Sequence, residues 1–421
     1  MLLQRLWDYI SHARYRIALR ARLIIDILIF VTGVVVVIFG GSGWSDIVGA
    51  ITTLVGGLLL LDNLRTAWNA NLQTRVVENE DFFELIKTSR LPKGFRLQYG
   101  ALGATDEIRG LSAVVARPYI SSQEVNGILD SSRNPVVLDP DTYQIPASLQ
   151  AFRIRCINIK KPNRNDPKLG LRTDVTVEAL TSRQTFTIQK TDYFSGAATN
   201  EMAAEQFESV PKTRIGRPTL TYAVSDLVVQ DGELLGLSES ALSNHIGVST
   251  IVLTADNYVV IQDQGPQAVS GNETAVGASG SLDLKDVNET TIQDPTLQGL
   301  VRFGMEREAK EELSASFNTG RKNTVLTGYA RYLVRGGKPE FFGISRTTSN
   351  LAELKPTRPD IRFVSGIRGR AFEASNEGLI RALEQLLEEG TNRRRRYSLS
   401  MVVSLRLALS YLSANELKAK I

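Results

Sequence analysis

Apolar positions dominate two runs near the start of the chain, "LIIDILIFVTGVVVVIFGG" over 23–41 and "WSDIVGAITTLVGGLLLLDNL" over 44–64. Each is close to the roughly 20 residues that a membrane-crossing helix needs. The intervening "GGSGWS" suits a tight hairpin. A cleaved signal peptide fits poorly, because a second apolar segment follows at once. A buried pair of globular helices is the alternative to a membrane hairpin. Beyond residue 65 the pattern changes. "NEDFFELIKTSRLP" predicts a short helix ending before Pro92, and "AFRIRCINI", "TDVTVEAL" and "RQTFTIQK" alternate apolar and polar residues as strands do. "IGVSTIVLTADNYVVIQDQG" predicts two strands around a turn at Ala255–Asn257. A Gly/Ser-rich loop, "GNETAVGASGSLD", comes next, then a helix from about 296 to 314. "NTVLTGYARYLV" and "PEFFGISRT" read as further strands. The stripe Leu379, Leu383, Leu386, Leu387 marks a helix with Gly390 as its C-terminal cap. Strands enclosing one helix and followed by another imply an α/β/α sandwich.

These elements divide the chain into five parts: a basic segment 1–22, two transmembrane helices within 23–64, a β-rich domain 65–229, a second domain 230–390, and a tail 391–421. In the tail, four arginines precede an apolar segment that either docks on the domain or lies on anionic lipid.

Charge orients the hairpin. Arg5, Arg14, Arg16, Arg20 and Arg22 precede it, Arg65 and Arg75 follow it, and the turn carries no basic residue. The expected location is therefore the cell inner membrane, multi-pass, with both termini cytoplasmic. Net charge is only +4 and identifies no partner. The lone Cys156 excludes an intramolecular disulfide and a cysteine zinc site, and with only His12 and His245 a histidine metal cluster is excluded too. Any chemistry falls to carboxylates and hard cations such as Mg²⁺.

"FGMEREAKEELSAS" over 303–316 concentrates those carboxylates. On a helix, Glu308, Glu311 and Glu312 share one side, and Arg307 pairs with Glu311 at i,i+4. A bound divalent cation would relieve their repulsion, and Mg²⁺ commonly bridges such oxygens to substrate phosphates. A solvated charged helix face is the other reading of the same spacing. No catalytic residue is identifiable from the spacing.

The letters "REAKEE" at 307–312 resemble the core of the Nudix box, R-E-U-x-E-E with U aliphatic, and the flanking strands and final helix suit a Nudix fold over roughly 230–390. The box departs from the family pattern at both ends. The family's glycine and glutamate upstream fall on Gln293 and Gly299, and its closing glycine and aliphatic residue fall on Ser314 and Ala315. The resemblance implies divalent-cation binding by Glu308, Glu311 and Glu312. Candidates for phosphate contacts are Arg302, Arg307 and Lys310, with backbone N–H groups at Gly277, Ser279 and Gly280. A membrane hairpin joined to such a domain resembles the two-transmembrane Nudix effectors of the CBASS class of bacterial anti-phage systems. That resemblance implies a non-hydrolytic sensor of a cyclic nucleotide made by a CD-NTase, which assembles with itself and disrupts the lipid bilayer. The alternative is a membrane-anchored Nudix hydrolase of a nucleoside diphosphate derivative.

Overall fold

The computed structural model describes residues 31–32, 34–35, 49–55, 57, 72–101, 116–147, 149, 165–211, 220–265, 273–290, 294–318, 322–356, 364–391 and 396–414. They fall into two compact units, Met1–Val76 with Phe207–Tyr222, and Val77–Gln206 with Ala223–Ile421.

The expected membrane architecture, and the inner-membrane location drawn from it, are corrected here. Among the described residues no helix is long and apolar enough to cross a membrane. Of the proposed hairpin, residues 31–32, 34–35, 49–55 and 57 are described, all helical. The rest of 23–64, and all of the basic segment 1–22, lie outside the described residues.

The larger unit is built on a nine-stranded mixed sheet. Its strands are β1 (Arg96–Tyr99), β2 (Pro118–Ser121), β3 (Gly247–Leu253), β4 (Tyr258–Gln264), β5 (Thr274–Val276), β6 (Ala278–Ser281), β7 (Thr324–Tyr332), β8 (Lys338–Arg346) and β9 (Val364–Ala371). The order is β5-β4-β3-β8-β7-β2-β1, with β6 paired to β3 and β9 paired to β4. Only β3 and β8 run parallel, in register from Gly247↔Glu340 to Leu253↔Arg346. The sheet thus draws strands from both sides of the expected 229/230 boundary. A smaller three-stranded sheet places Phe186–Asp192 between Val136–Thr142 and Pro167–Leu171.

Alternation along β3 sorts the two faces of the main sheet. Ile251 and Leu253 pack with Leu379, Leu383 and Leu386 of α3 (Asn376–Thr391), and with Met401, Val402 and Leu405 of α4 (Leu399–Ala414). Val252 faces the other way, onto Ala309 and Leu313 of α2 (Leu297–Leu313). Side chains of a strand alternate across the sheet, so this one strand anchors helices on both sides. The tail segment after the arginines is therefore docked on the sheet. Its strongly apolar composition serves burial: Val403, Ala408 and Leu412 are all at most 1% exposed.

Two predicted elements come out differently. "TDVTVEAL" reads as a strand, yet Val177–Thr181 is a helical turn. Thr176 caps it, its Oγ1 accepting from Ala179 N at 3.1 Å, while Val175 and Leu180 enter the core. Side-chain capping plus burial on both flanks outweighs the β-branched alternation. The supposed Gly/Ser loop at 274–281 is instead the strand pair β5 and β6. "AFRIRCINI" at 151–159 lies outside the described residues.

Candidate functional site

Helix α2 carries the site. Thr296 opens it, with Oγ1 accepting from Gly299 N at 3.0 Å. Ser314 closes it in the left-handed region at φ 57°, its N–H satisfying the last carbonyls. A left-handed C-terminal cap is where glycine sits at no steric cost, which gives the family's glycine at this position a backbone reason. Ala315 then turns into the core at 5% exposure.

The Arg307 guanidinium is the organising group. Its side chain is 9% exposed. Nε donates to Asp286 Oδ1 at 2.7 Å and Nη2 to Asp286 Oδ2 at 3.1 Å. Nη1 donates to Glu311 Oε2 at 2.8 Å, the i,i+4 pair expected from spacing. Nη2 also reaches Ser281 O at 3.1 Å and lies 3.0 Å from Glu308 Oε1. Asp286 belongs to Leu284–Thr290 and is fully buried, accepting in addition from Asp283 N at 2.8 Å.

Asp286 is the buried carboxylate that pairs with Arg307 from outside α2. The family's upstream glutamate falls on Gly299, but a Cβ at Gly299 would lie 2.4 Å from Asp294 O. The turn that leads into α2 occupies that space, so no side chain fits there. The carboxylate that pairs with Arg307 comes instead from before the 287–296 stretch, which sets the two partners 21 residues apart.

Further cations arrive from elsewhere in the fold. Lys168, on the small sheet, hydrogen-bonds Asp283. Lys285 donates to Glu311 Oε1 at 2.7 Å and lies 3.5 Å from Asp283 Oδ2. Gln262 Nε2 and Ser279 N each donate to Glu312 Oε2 at 3.1 Å. Glu308 packs against β6 so closely that a Cβ on Gly280 would lie 2.1 Å from Oε1.

The electrostatic consequences differ by residue. Burial pushes the Glu308 carboxyl up to about 7, with Arg307 and Lys168 opposing and Glu311 and Asp283 adding to the rise. Burial likewise raises Asp286, against the bidentate arginine. Burial also works to raise Asp283, but Lys168, Arg307 and Lys285 together hold it below the usual carboxylate range. Burial works to lower Arg307, yet Glu308 and Asp286 outweigh it and hold the guanidinium firmly charged.

The residues singled out in the sequence are thus placed as follows. Arg307, Glu308, Glu311 and Glu312 come together with Ser279 and Gly280, but through contacts within the protein. Gly277 accepts from Gln262 Nε2 through its carbonyl at 2.6 Å. Arg302 lies farther up α2, where Nη2 donates to Asp130 Oδ1 at 2.8 Å and to Asp130 O at 2.7 Å. Lys310 is exposed, with Nζ 5.8 Å from the Phe317 ring centroid. Sequence spacing missed Lys168, Asp283, Lys285 and Asp286. The acids and Lys285 lie in "SLDLKD", where a cluster of charges was visible but its target was not.

In this arrangement the carboxylates of α2 are engaged by groups of the protein itself. Among the described residues no group of three or more His, Cys, Asp or Glu is placed to hold a metal ion. Glu311 turns to Lys285 and Arg307, Glu312 to Gln262 and the β6 backbone, and Glu308 to Arg307. The cations that neutralise the cluster are side chains of the protein.

No family model and no curated protein matches the chain. Solved structures give faint likenesses. A MutT protein from Methanosarcina mazei Go1 is 10% identical with a TM-score of 0.27, over 41% of this chain and 96% of that one. A protein from Deinococcus radiodurans is 14% identical with a TM-score of 0.23, over 38% of this chain and 81% of that one. Tm1382, provisionally assigned as a Nudix hydrolase, is 12% identical with a TM-score of 0.24, over 45% of this chain and 79% of that one. The likeness is too slight to carry any argument about activity, and each leaves more than half of this chain unmatched.

Proposed function

We propose that the chain is a non-hydrolytic nucleotide-binding protein whose Nudix-like helix has become a structural ion-pair cluster. In this reading it is an effector that binds a cyclic nucleotide made by a CD-NTase and responds by self-association. The observation that carries the non-hydrolytic half is the placement of Arg307 on Glu308 and Glu311, and of Lys285 on Glu311, carboxylates that a divalent cation would otherwise neutralise. The ligand class and the defence role come from the resemblance of the whole chain's organisation, a hairpin joined to a domain with the Nudix-like "REAKEE" helix, of which the membrane-spanning half is corrected above; nothing in the geometry adds to it.

One observation favours the hydrolase reading. A carboxylate raised to about 7 beside a fixed arginine has the proton affinity of a general base working at neutral pH. Titration calorimetry with a panel of cyclic nucleotides separates the two. A sensor binds one of them equally well in Mg²⁺ and in EDTA, and its sedimentation rate rises when it does. Binding that vanishes in EDTA sinks the sensor reading.

A further inference from the structure

His245 sits where the small sheet joins the main one. Segment 244–246 leads into β3 and runs antiparallel to the strand Pro167–Leu171, with His245 opposite Gly170. Leu171 N donates to Asn244 O at 3.0 Å and Ile246 N to Leu169 O at 2.9 Å. Leu282 completes the seam, donating to Ile246 O at 2.9 Å and accepting from Leu169 N at 3.1 Å. The residues next to Leu169 and Leu282 are Lys168 and Asp283, the ion pair that ties the small sheet to the charges around α2.

The imidazole has room for one proton only. His245 is 5% exposed. Its Nε2 lies 3.0 Å from Asp192 O. A carbonyl oxygen only accepts, so Nε2 carries the hydrogen and Nδ1 is bare in the neutral ring. A second proton has to go to Nδ1. That atom makes no hydrogen bond among the described residues. It also lies against Gly196 of the helix Tyr193–Ala198, so closely that a Cβ there would be 2.5 Å away.

The charged groups packed around the ring give an imidazolium no counter-charge. Lys168, from the small sheet, is taken up by Asp283. Lys338, from β8, is 2.6 Å from Glu340, both side chains being 6% exposed. The Asp192 carboxylate accepts from Ser195 N at 2.9 Å and from Ser195 Oγ at 3.0 Å. Among the described residues no carboxylate is in ion-pair contact with His245. A buried charge with an unmade hydrogen bond is strongly disfavoured. Burial first, then Lys338 and Lys168, push the ring down to about 3.

From this geometry we infer that His245 is an acid-sensitive latch, whose protonation parts the strand Pro167–Leu171 from segment 244–246 and draws Lys168 off Asp283. In the open seam the ring is hydrated and titrates at its ordinary value of about 6.5. Its value in the closed seam is depressed, so the closed form keeps its full stability above about 6.5 and loses it as pH falls from there toward about 3. Glu308, raised to about 7, titrates over the same range with the opposite sign, because acid favours its buried form. Asp283, held below the usual carboxylate range, stays charged down to pH 5. The latch is independent of the nucleotide reading.

Hydrogen exchange of the full chain, corrected for the intrinsic effect of pH and followed by mass spectrometry, tests it. Protection over 167–171 and 244–246 should fall about thirtyfold between pH 7.5 and pH 5, with the fall starting near pH 6.5, while β7 and β8 keep theirs. His245→Gln retains an N–H for Asp192 O and gains no proton, so its protection over 167–171 should differ little between the two pH values. A fall of less than about threefold in the native chain overturns the inference, and so does an equal fall in β7 and β8, which marks global unfolding. An onset only below about pH 4.5 assigns the opening to carboxylates and overturns it as well, whether or not His245→Gln folds. A thirtyfold fall that persists in folded His245→Gln does the same.

Discussion

Replacing Arg307 by methionine distinguishes a structural cluster from a solvated helix face. The change keeps an unbranched apolar stem and removes the group that holds Asp286, Glu308 and Glu311. Asp286 is fully buried and would keep its hydrogen bond from the Asp283 N–H. Breaking a buried ion pair from one side costs about 3–5 kcal/mol, whereas an exposed pair contributes about 0–1 kcal/mol. The expected loss for Arg307→Met is therefore at the upper figure. Glu311→Gln, at a side chain 42% exposed, should cost no more than about 1 kcal/mol. Adding Asp286→Asn to Arg307→Met removes the stranded charge and should recover part of the loss, giving a coupling of about 0.5–3 kcal/mol, as for other directly interacting pairs. Urea denaturation of the four proteins measures the whole cycle. A loss below about 1 kcal/mol for Arg307→Met, or no coupling with Asp286→Asn, refutes the assignment of Arg307 as the buried centre of the cluster.

Two further outcomes follow from the same geometry. Glu308 holds its proton more tightly folded than unfolded, its carboxyl rising from the usual 4.5 to about 7, so its contribution to stability is fully present below about 4.5 and is lost as pH rises through about 7. The loss is about 3 kcal/mol. The stability of the native sequence minus that of Glu308→Gln should fall by that order between pH 5 and 8 in urea titrations, and a flat difference contradicts the burial. Ser314→Gly should raise stability by about 0.5–1 kcal/mol, because glycine adopts the left-handed cap at φ 57° without a Cβ clash. A lower melting temperature would show that the Ser314 Oγ contact to Lys355 O outweighs the backbone gain.

The expected helix at about 296–314 matches α2 almost to the residue, where Thr296 caps "LQGLVRFGMEREAKEEL" and Ser314 stops it in the left-handed region. Strands β3, β4, β7 and β8 were legible for a related reason: their apolar runs are bounded by turns. The partners of the site were not. An i,i+4 rule finds Arg307 with Glu311, but Asp286 and Lys168 reach the cluster through tertiary packing that no local spacing encodes. The converged glutamates illustrate the same limit. Spacing put them on one side of a helix, while the contacts of β6 and Gln262 turned Glu312 away from Glu311. The apolar segment after the arginines was equally ambiguous between lipid and sheet, because both are apolar surroundings. The apolar runs near the start met the length of a membrane span by composition alone, and among the described residues no helix is long and apolar enough to cross a membrane.

The claim that the cluster replaces a divalent cation is tested most directly by turnover. The full chain is incubated with nucleoside diphosphate derivatives and cyclic nucleotides in Mg²⁺, Mn²⁺ or EDTA, and phosphate-containing products are followed by chromatography. The account predicts no cation-dependent product above the uncatalysed rate with any of them. Turnover near or above about 1 per second, the lower bound of ordinary enzymes, that is abolished by Glu308→Gln or Glu312→Gln would contradict it.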